Sequence, residues 1–314
     1  MSTEGGTRAI VAALTANLGI AATKFVAFLL TGSSSMLAES IHSLADSGNQ
    51  LLLLVGGRRA DRAATPEHPF GYGRQRYVYA FIVSIVLFSV GGLFALYEGF
   101  DKWRHPEAIE GHWWWVPLVV LVIAIGLEGY SFRTAITEAN RTRGTRGWVD
   151  YVRTAKAPEL PVVLLEDAAA LLGLVLALLG VGLTLLTHDG RWDALGTGLI
   201  GVLLVVVAGI LAVEMNSLLI GESASREQVA AIEAALVGGA VQRVIHMKTL
   251  HLGPEELLVA AKIAVGPQER ALAVAEAIDA AERRVRAAVP IARVIYLEPD
   301  VDRVPRGAES GRRG

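Results

Sequence analysis

Six stretches of this chain are apolar over about the 20 residues that a helix needs to cross a bilayer. They cover residues 9–30, 36–55, 77–97, 113–132, 161–186 and 195–213. Hydrophobic residues make up 53% of the 314 positions and charged ones 19%, against about a quarter charged in soluble domains. The spacing therefore predicts six transmembrane helices. Residues 1–8 are too short and polar for a cleavable signal or a transit peptide, so the first run is expected to persist as a span. The absence of cysteine excludes disulfides and thiolate ligands, leaving any metal site to imidazole, carboxylate or carbonyl groups.

Loop charge predicts orientation. Arg58, Arg59, Arg62, Arg74 and Arg76 lie between spans two and three, and Arg133, Arg141, Arg143, Arg146, Arg153 and Lys156 cluster between four and five. The other loops carry none, Lys102 with Arg104, and Arg191. Cations stay on the cytoplasmic side, so both termini are expected in the cytoplasm. Trp103, Trp113, Trp114, Trp115 and Trp192 all fall at the opposite boundary, where an amphipathic ring sits well. Only five of the 29 basic residues are lysine. That arginine bias suggests GC-rich coding, hence a bacterium and its plasma membrane.

Past residue 216 the periodicity becomes that of a soluble domain. A helix over 223–236, strands over 244–252 and 257–265 turning at Gly253-Pro254, a helix over 268–288 and a strand over 292–297 give an α-β-β-α-β order. This is a small open-faced, ferredoxin-like α+β sandwich. The expected organisation is a cytoplasmic segment 1–8, a six-helix membrane domain 9–216, a cytoplasmic domain 217–300 and a disordered tail 301–314.

The ionisable residues inside the spans bear on function. A charge at the bilayer centre costs about 2.5–3.5 kcal/mol even on the mild insertion scale, so it faces a partner or a cavity. Span two carries Glu39, His42, Asp46, Asn49 and Gln50, with His42 and Asp46 one turn apart and Glu39 three residues before His42 on the same side. Span five carries the adjacent pair Glu166 and Asp167, whose side chains point about 100° apart. A dication between such groups offsets the desolvation of several carboxylates at once. One imidazole with two or three carboxylates suits zinc, with manganese, iron(II) and cobalt(II) as alternatives. Interhelical hydrogen bonding between protonated acids is the competing reading. An acid–His–acid stripe facing an acid pair on another helix favours the metal.

Ala38-Glu-Ser-Ile-His-Ser-Leu-Ala-Asp46, the segment His68-Pro-Phe-Gly-Tyr-Gly-Arg74 and the six-span layout with an α+β tail resemble the cation diffusion facilitator family over residues 8–299. The stretch Pro158-Glu-Leu-Pro-Val-Val-Leu-Leu-Glu-Asp167 is similar to the branch of mitochondrial zinc-transporter-like proteins. The resemblance implies a homodimer that exchanges Zn2+ for protons, with a four-ligand site between spans two and five. His42 and Asp46 match the span-two pair and Asp167 the second span-five place, but Val163 stands at the first. Glu166, Glu39 or water is left to fill it. Thr65 and Tyr72 depart from the family's loop site, where only His68 remains. Ile245, Lys262 and Tyr296 depart from its cytoplasmic site. His246 and His251 have opposite strand parity and read as ordinary surface histidines. Asn17, Lys24 and Glu128 line the path or balance charge, Lys24 being expected to snorkel to the outer headgroups.

The metal is cargo here, so no prosthetic group is expected, and the partners are a second copy, the bilayer, the dication and protons rather than nucleic acid. A non-transporting metal sensor and an intramembrane metallohydrolase are the alternatives. The second lacks HExxH or any paired histidines one turn apart on a span.

Overall fold

The computed structural model describes residues 3–31, 34–106 and 114–301, and at 3, 4, 31, 34–39, 41, 42 and 45 it describes the backbone alone. Two compact units divide the chain, Met1–Leu219 and Ile220–Gly314.

In the first unit, long helices follow the apolar runs. They are α1 (Thr3–Thr31), α2 (Ser34–Ala60), α3 (Gln75–Val86) continuing through a π turn (Leu87–Leu93) into α4 (Phe94–Arg104), α5 (Val116–Arg143), α7 (Glu159–Thr187) and α8 (Arg191–Ile220). Five of these, counting Gln75–Arg104 as one, are long and apolar enough to cross a membrane. The remaining one, α2, has 27 residues, a reach of about 40 Å at 1.5 Å per residue. Its polar stripe keeps its composition from qualifying alone. Outside, α5, α7 and α8 present Val122, Leu172, Leu186, Val202 and Val213, an apolar surface that only lipid or another protein can cover. The short helix α6 (Trp148–Thr154), in the arginine-rich loop, carries no long apolar period and was not legible in the sequence. Arg143 stacks over its Trp148 at 4.3 Å.

Glycine lets two helices touch. A Cβ on Gly99 of α4 would lie 2.7 Å from the backbone nitrogen of Gly198 on α8, and one on Gly201 would lie 2.7 Å from that of Leu96. Small residues are how membrane helices bring backbones together. At the predicted cytoplasmic end, Arg76 donates to Glu159 at 2.6 Å and to Asp61 at 3.0 Å. That guanidinium ties α3 to α7 and to the end of α2.

The second unit runs α9 (Arg226–Leu236), β1 (Val241–Gly253), β2 (Glu256–Val265), α10 (Ala271–Ala288), β3 (Val294–Val301). Ser225 and Gln228 form a reciprocal capping box that starts α9. Strand order is β1-β2-β3, with β1 antiparallel and β3 parallel to β2. Leu257, Val259, Ala261 and Ile263 alternate into the core with Ile232, Ala281 and Val285 of the helices, the period of two that a one-sided sheet requires. His251 is not a surface residue as expected. It is 2% exposed, its ring Nδ1 lies 3.3 Å from the Gly253 carbonyl and its backbone N–H donates to Glu222. Bulges at Val244/His246 and His251/Gly253 break the simple parity, and His246 remains exposed.

Candidate functional site

Asp46, Asn49 and Gln50 fall at i, i+3 and i+4 on α2 and so share one face. That face meets α7. Asn49 Nδ2 donates to one oxygen of Glu166 and Gln50 Nε2 to the other, each at 3.0 Å, while Asn17 of α1 donates to Gln50 Oε1 at 3.3 Å. Both carboxylate oxygens of Glu166 are thus engaged by amides. Asp167 turns the other way, and Ser131 of α5 donates to its Oδ2 at 2.6 Å. The 100° between adjacent helical residues therefore gives the acid pair two different jobs. Glu166 fastens α7 to α2, and Asp167 keeps its second oxygen clear of Ser131.

Glu128, one turn before Ser131 on α5, is buried with it. It lies within electrostatic reach of Asp167, Asp46 and Lys24, and Glu166 within reach of Asp46, Asp167 and Glu128. Four carboxylates from three helices thus gather around one buried place. Asn49 Oδ1 is buried there with no hydrogen-bond partner among the described residues. An acceptor left so costs about 1–3 kcal/mol, which a cation or a donating water would recover. The side chains of His42 and Glu39 lie outside the described residues. Among those described, no three His, Asp or Glu side chains are close enough to hold one metal ion. The carboxylates are gathered without closing on a single point.

Lys24 does not snorkel. It is 8% exposed, and its ammonium donates to Ser43 Oγ at 3.3 Å, beside His42 and one turn before Asp46. Distance from a helix end is visible in a sequence and facing is not, which is why the headgroup expectation for Lys24 fails. Ser131 was missed altogether, since one serine in an apolar run carries no signal. Val163, at the family's ligand position, is fully buried in the apolar core.

Outside the membrane spans, His68 sits at a turn, its backbone N–H donating to Thr65 and its ring edge-on to Tyr72 at 4.7 Å. In the second unit, Lys262 pairs with Glu298 at 2.8 Å and Asp300 at 3.3 Å. The hydrogen bond to Glu298 leads in holding its ammonium above the ordinary lysine range. A cation is thus already bound to those carboxylates.

Residues 10–220 match the profile of the cation efflux transmembrane domain. Among curated proteins the chain is 35% identical over 243 residues to the proton-coupled zinc antiporter SLC30A9, mitochondrial, of Xenopus laevis, an alignment covering 76% of this chain and 43% of that protein. It is 33% identical to the human protein of the same name over 76% of this chain and 42% of the relative. With metal tolerance protein C4 of Arabidopsis thaliana it shares 29% over 69% of the chain and 47% of the relative. The chain therefore aligns with less than half the length of each of these relatives.

Proposed function

The chain belongs to the cation efflux family, an integral membrane family, and on that premise we propose that it is an antiporter that exports a divalent cation, zinc first, against protons. The observation that carries the reading is the gathering of carboxylates between α2 and α7: Glu166 lies within electrostatic reach of Asp46 on α2 and of Asp167 beside it, with both its oxygens held by amides of α2. The names of the SLC30A9 relatives, proton-coupled zinc antiporters, support the same cargo and coupling ion.

His42, Asp46 and Asp167 are the ligands in this reading. The place opposite Val163 falls to Glu166 only if it gives up an amide, and otherwise to Glu39 or water. Open to the cytoplasm, the deprotonated groups take the dication. Open to the far side, protons compete for the same atoms and release it, because carboxylate and imidazole bind metal only when deprotonated. An imidazole titrates near pH 6.5 when unperturbed, which makes His42 the coupling residue. Loop charge supports cytoplasmic termini, and the arginine bias supports a bacterial plasma membrane. The family resemblance supports a homodimer.

Reconstituted into liposomes with a pH gradient, the wild type is expected to drive proton flux when zinc is added. D46A and D167A, each monodisperse after purification, are expected to abolish it. Wild-type rates in either variant reject the ligand assignment.

A further inference from the structure

Asn49 and Gln50 are neighbours on α2 that use their nitrogens alike and their oxygens differently. They are buried, at 1% and 0% exposure, and each donates an amide N–H to Glu166 at 3.0 Å. Gln50 Oε1 also accepts from Asn17 at 3.3 Å, so that side chain is satisfied at both ends. Asn49 Oδ1 is buried with no hydrogen-bond partner among the described residues. The polar groups around it are poor in donors. Glu166 accepts from two amides, Asp46 one turn earlier is a carboxylate, and Ser131 gives its hydroxyl hydrogen to Asp167. A core built on hydrogen bonds supplies each buried acceptor with a donor. An acceptor set among acceptors is the arrangement of a cation site.

Position argues the same way. Val163 and Glu166 lie at i and i+3 on α7 and share a face, and side chains on a helix lean toward its N-terminus. Glu166 therefore leans back over the turn that carries Val163, and the bond to its carboxylate brings the Asn49 amide to the same place. On α2, Asn49 follows Asp46 by three residues and leans back toward it by the same rule. The free oxygen is thus brought beside Asp46, at the level of the ligand that Val163 does not supply.

We propose that Asn49 Oδ1 is the fourth ligand of the dication, completing the set of His42, Asp46 and Asp167. The inference rests on the antiporter reading and deepens it by naming the group that fills the place opposite Val163. The bond from Nδ2 to Glu166 fixes which end of the Asn49 amide faces the ion. A carbonyl-type oxygen is an ordinary ligand for a divalent cation. It carries no charge and loses no proton on binding, so it adds a bond to the metal without adding negative charge to an already acidic pocket.

The test uses the purified full chain, with zinc titrated calorimetrically, Tm measured, and zinc-driven proton flux followed in liposomes. N49L keeps the shape of the side chain and removes its oxygen. It is expected to raise the Kd for zinc by about tenfold or more, at least the loss seen when a group supporting a metal site is removed. N49D keeps the oxygen and loses the N–H donor. It is expected to bind zinc about as tightly as the wild type, although its Tm falls because two carboxyl groups now meet. Q50L removes the equivalent bond to Glu166 but no free oxygen, so it is expected to lower Tm as N49L does while raising Kd several times less. An asparagine that only steadies Glu166 predicts instead that N49D and Q50L weaken zinc binding as much as N49L does, and that result overturns the proposal. A Kd in N49L within about twofold of the wild type, well under one tenfold step, overturns it too and leaves the oxygen to a water. If N49L fails to fold, N49D decides alone: wild-type Kd supports the ligand, and a loss of about tenfold overturns it. A wild type that binds zinc but carries no flux refutes the antiporter reading only, and the Kd comparison still stands. A wild type that binds no zinc overturns both.

Discussion

Glu166 and Asp167 are neighbours in sequence and opposites in surroundings, and that contrast yields the sharpest prediction at the scale of single residues. Both oxygens of Glu166 are engaged by amides of α2, whereas Asp167 accepts from Ser131 through one oxygen. In E166Q, one of the two amide donors meets an amide N–H instead of an oxygen. Leaving that donor unpaired costs about 1–3 kcal/mol. The expected result is a clearly lower Tm with zinc affinity changed by less than about tenfold, while D167N loses affinity by more than about a hundredfold. The reverse pattern, stability kept and affinity lost in E166Q, returns Glu166 to the coordination shell. At this scale the sequence was informative where chemistry is local. The i, i+4 spacing of His42 and Asp46 is visible to any reader of a helix, and Val163 is visible as a departure. Partners from other helices are not. Nothing near Lys24 or Ser131 in the chain says which helix will stand opposite.

The helices obey a different division. Lipid demands about 20 apolar residues per span and enforces that rule without regard to neighbours, so all six spans were legible from length and apolarity. The second is the least apolar of them in the fold, since the residues that weaken its apolarity are those that meet α7. What was not legible is how helices touch. Gly99 and Gly201 look like any glycines in an apolar run, yet each sits where a Cβ would come within 2.7 Å of a facing backbone atom. G99V and G201V are therefore expected to force α4 and α8 apart. We expect a Tm lower by several degrees and loss of flux, whereas G182V, which meets nothing within 4 Å, leaves Tm nearly unchanged. Arg76 makes a second prediction at this scale. It is 9% exposed and faces Glu159 at 6%, so R76A strands a buried carboxylate at a cost of about 3–5 kcal/mol. R76A/E159A together removes both charges and is expected to recover most of that loss. An R76A as stable as the wild type shows that the pair is screened by water and holds nothing.

For the whole molecule, direction of transport depends on which end of the pocket faces the cytoplasm, and that rests on orientation. Loop cations and boundary tryptophans are separate signals that agree, the first set by the membrane potential and anionic lipid and the second by ring amphipathicity. The lack of cysteine in the sequence makes a background-free test available. Single substitutions T145C, between α5 and α6, and S223C, at the start of the second unit, are expected to resist a membrane-impermeant maleimide in intact cells and to react after permeabilisation. H105C, past the end of α4, and D189C, between α7 and α8, are expected to react in intact cells. Each of these residues is exposed or partly so in the fold, so protection reports the membrane rather than packing. A reversed pattern at all four positions turns the molecule over. Zinc would then be loaded from outside, and the same chemistry at Asp46 and Asp167 would describe uptake. A mixed pattern, with T145C and S223C on opposite faces, breaks the six-span count itself, since two spans separate those positions and an even number must return the chain to the same side.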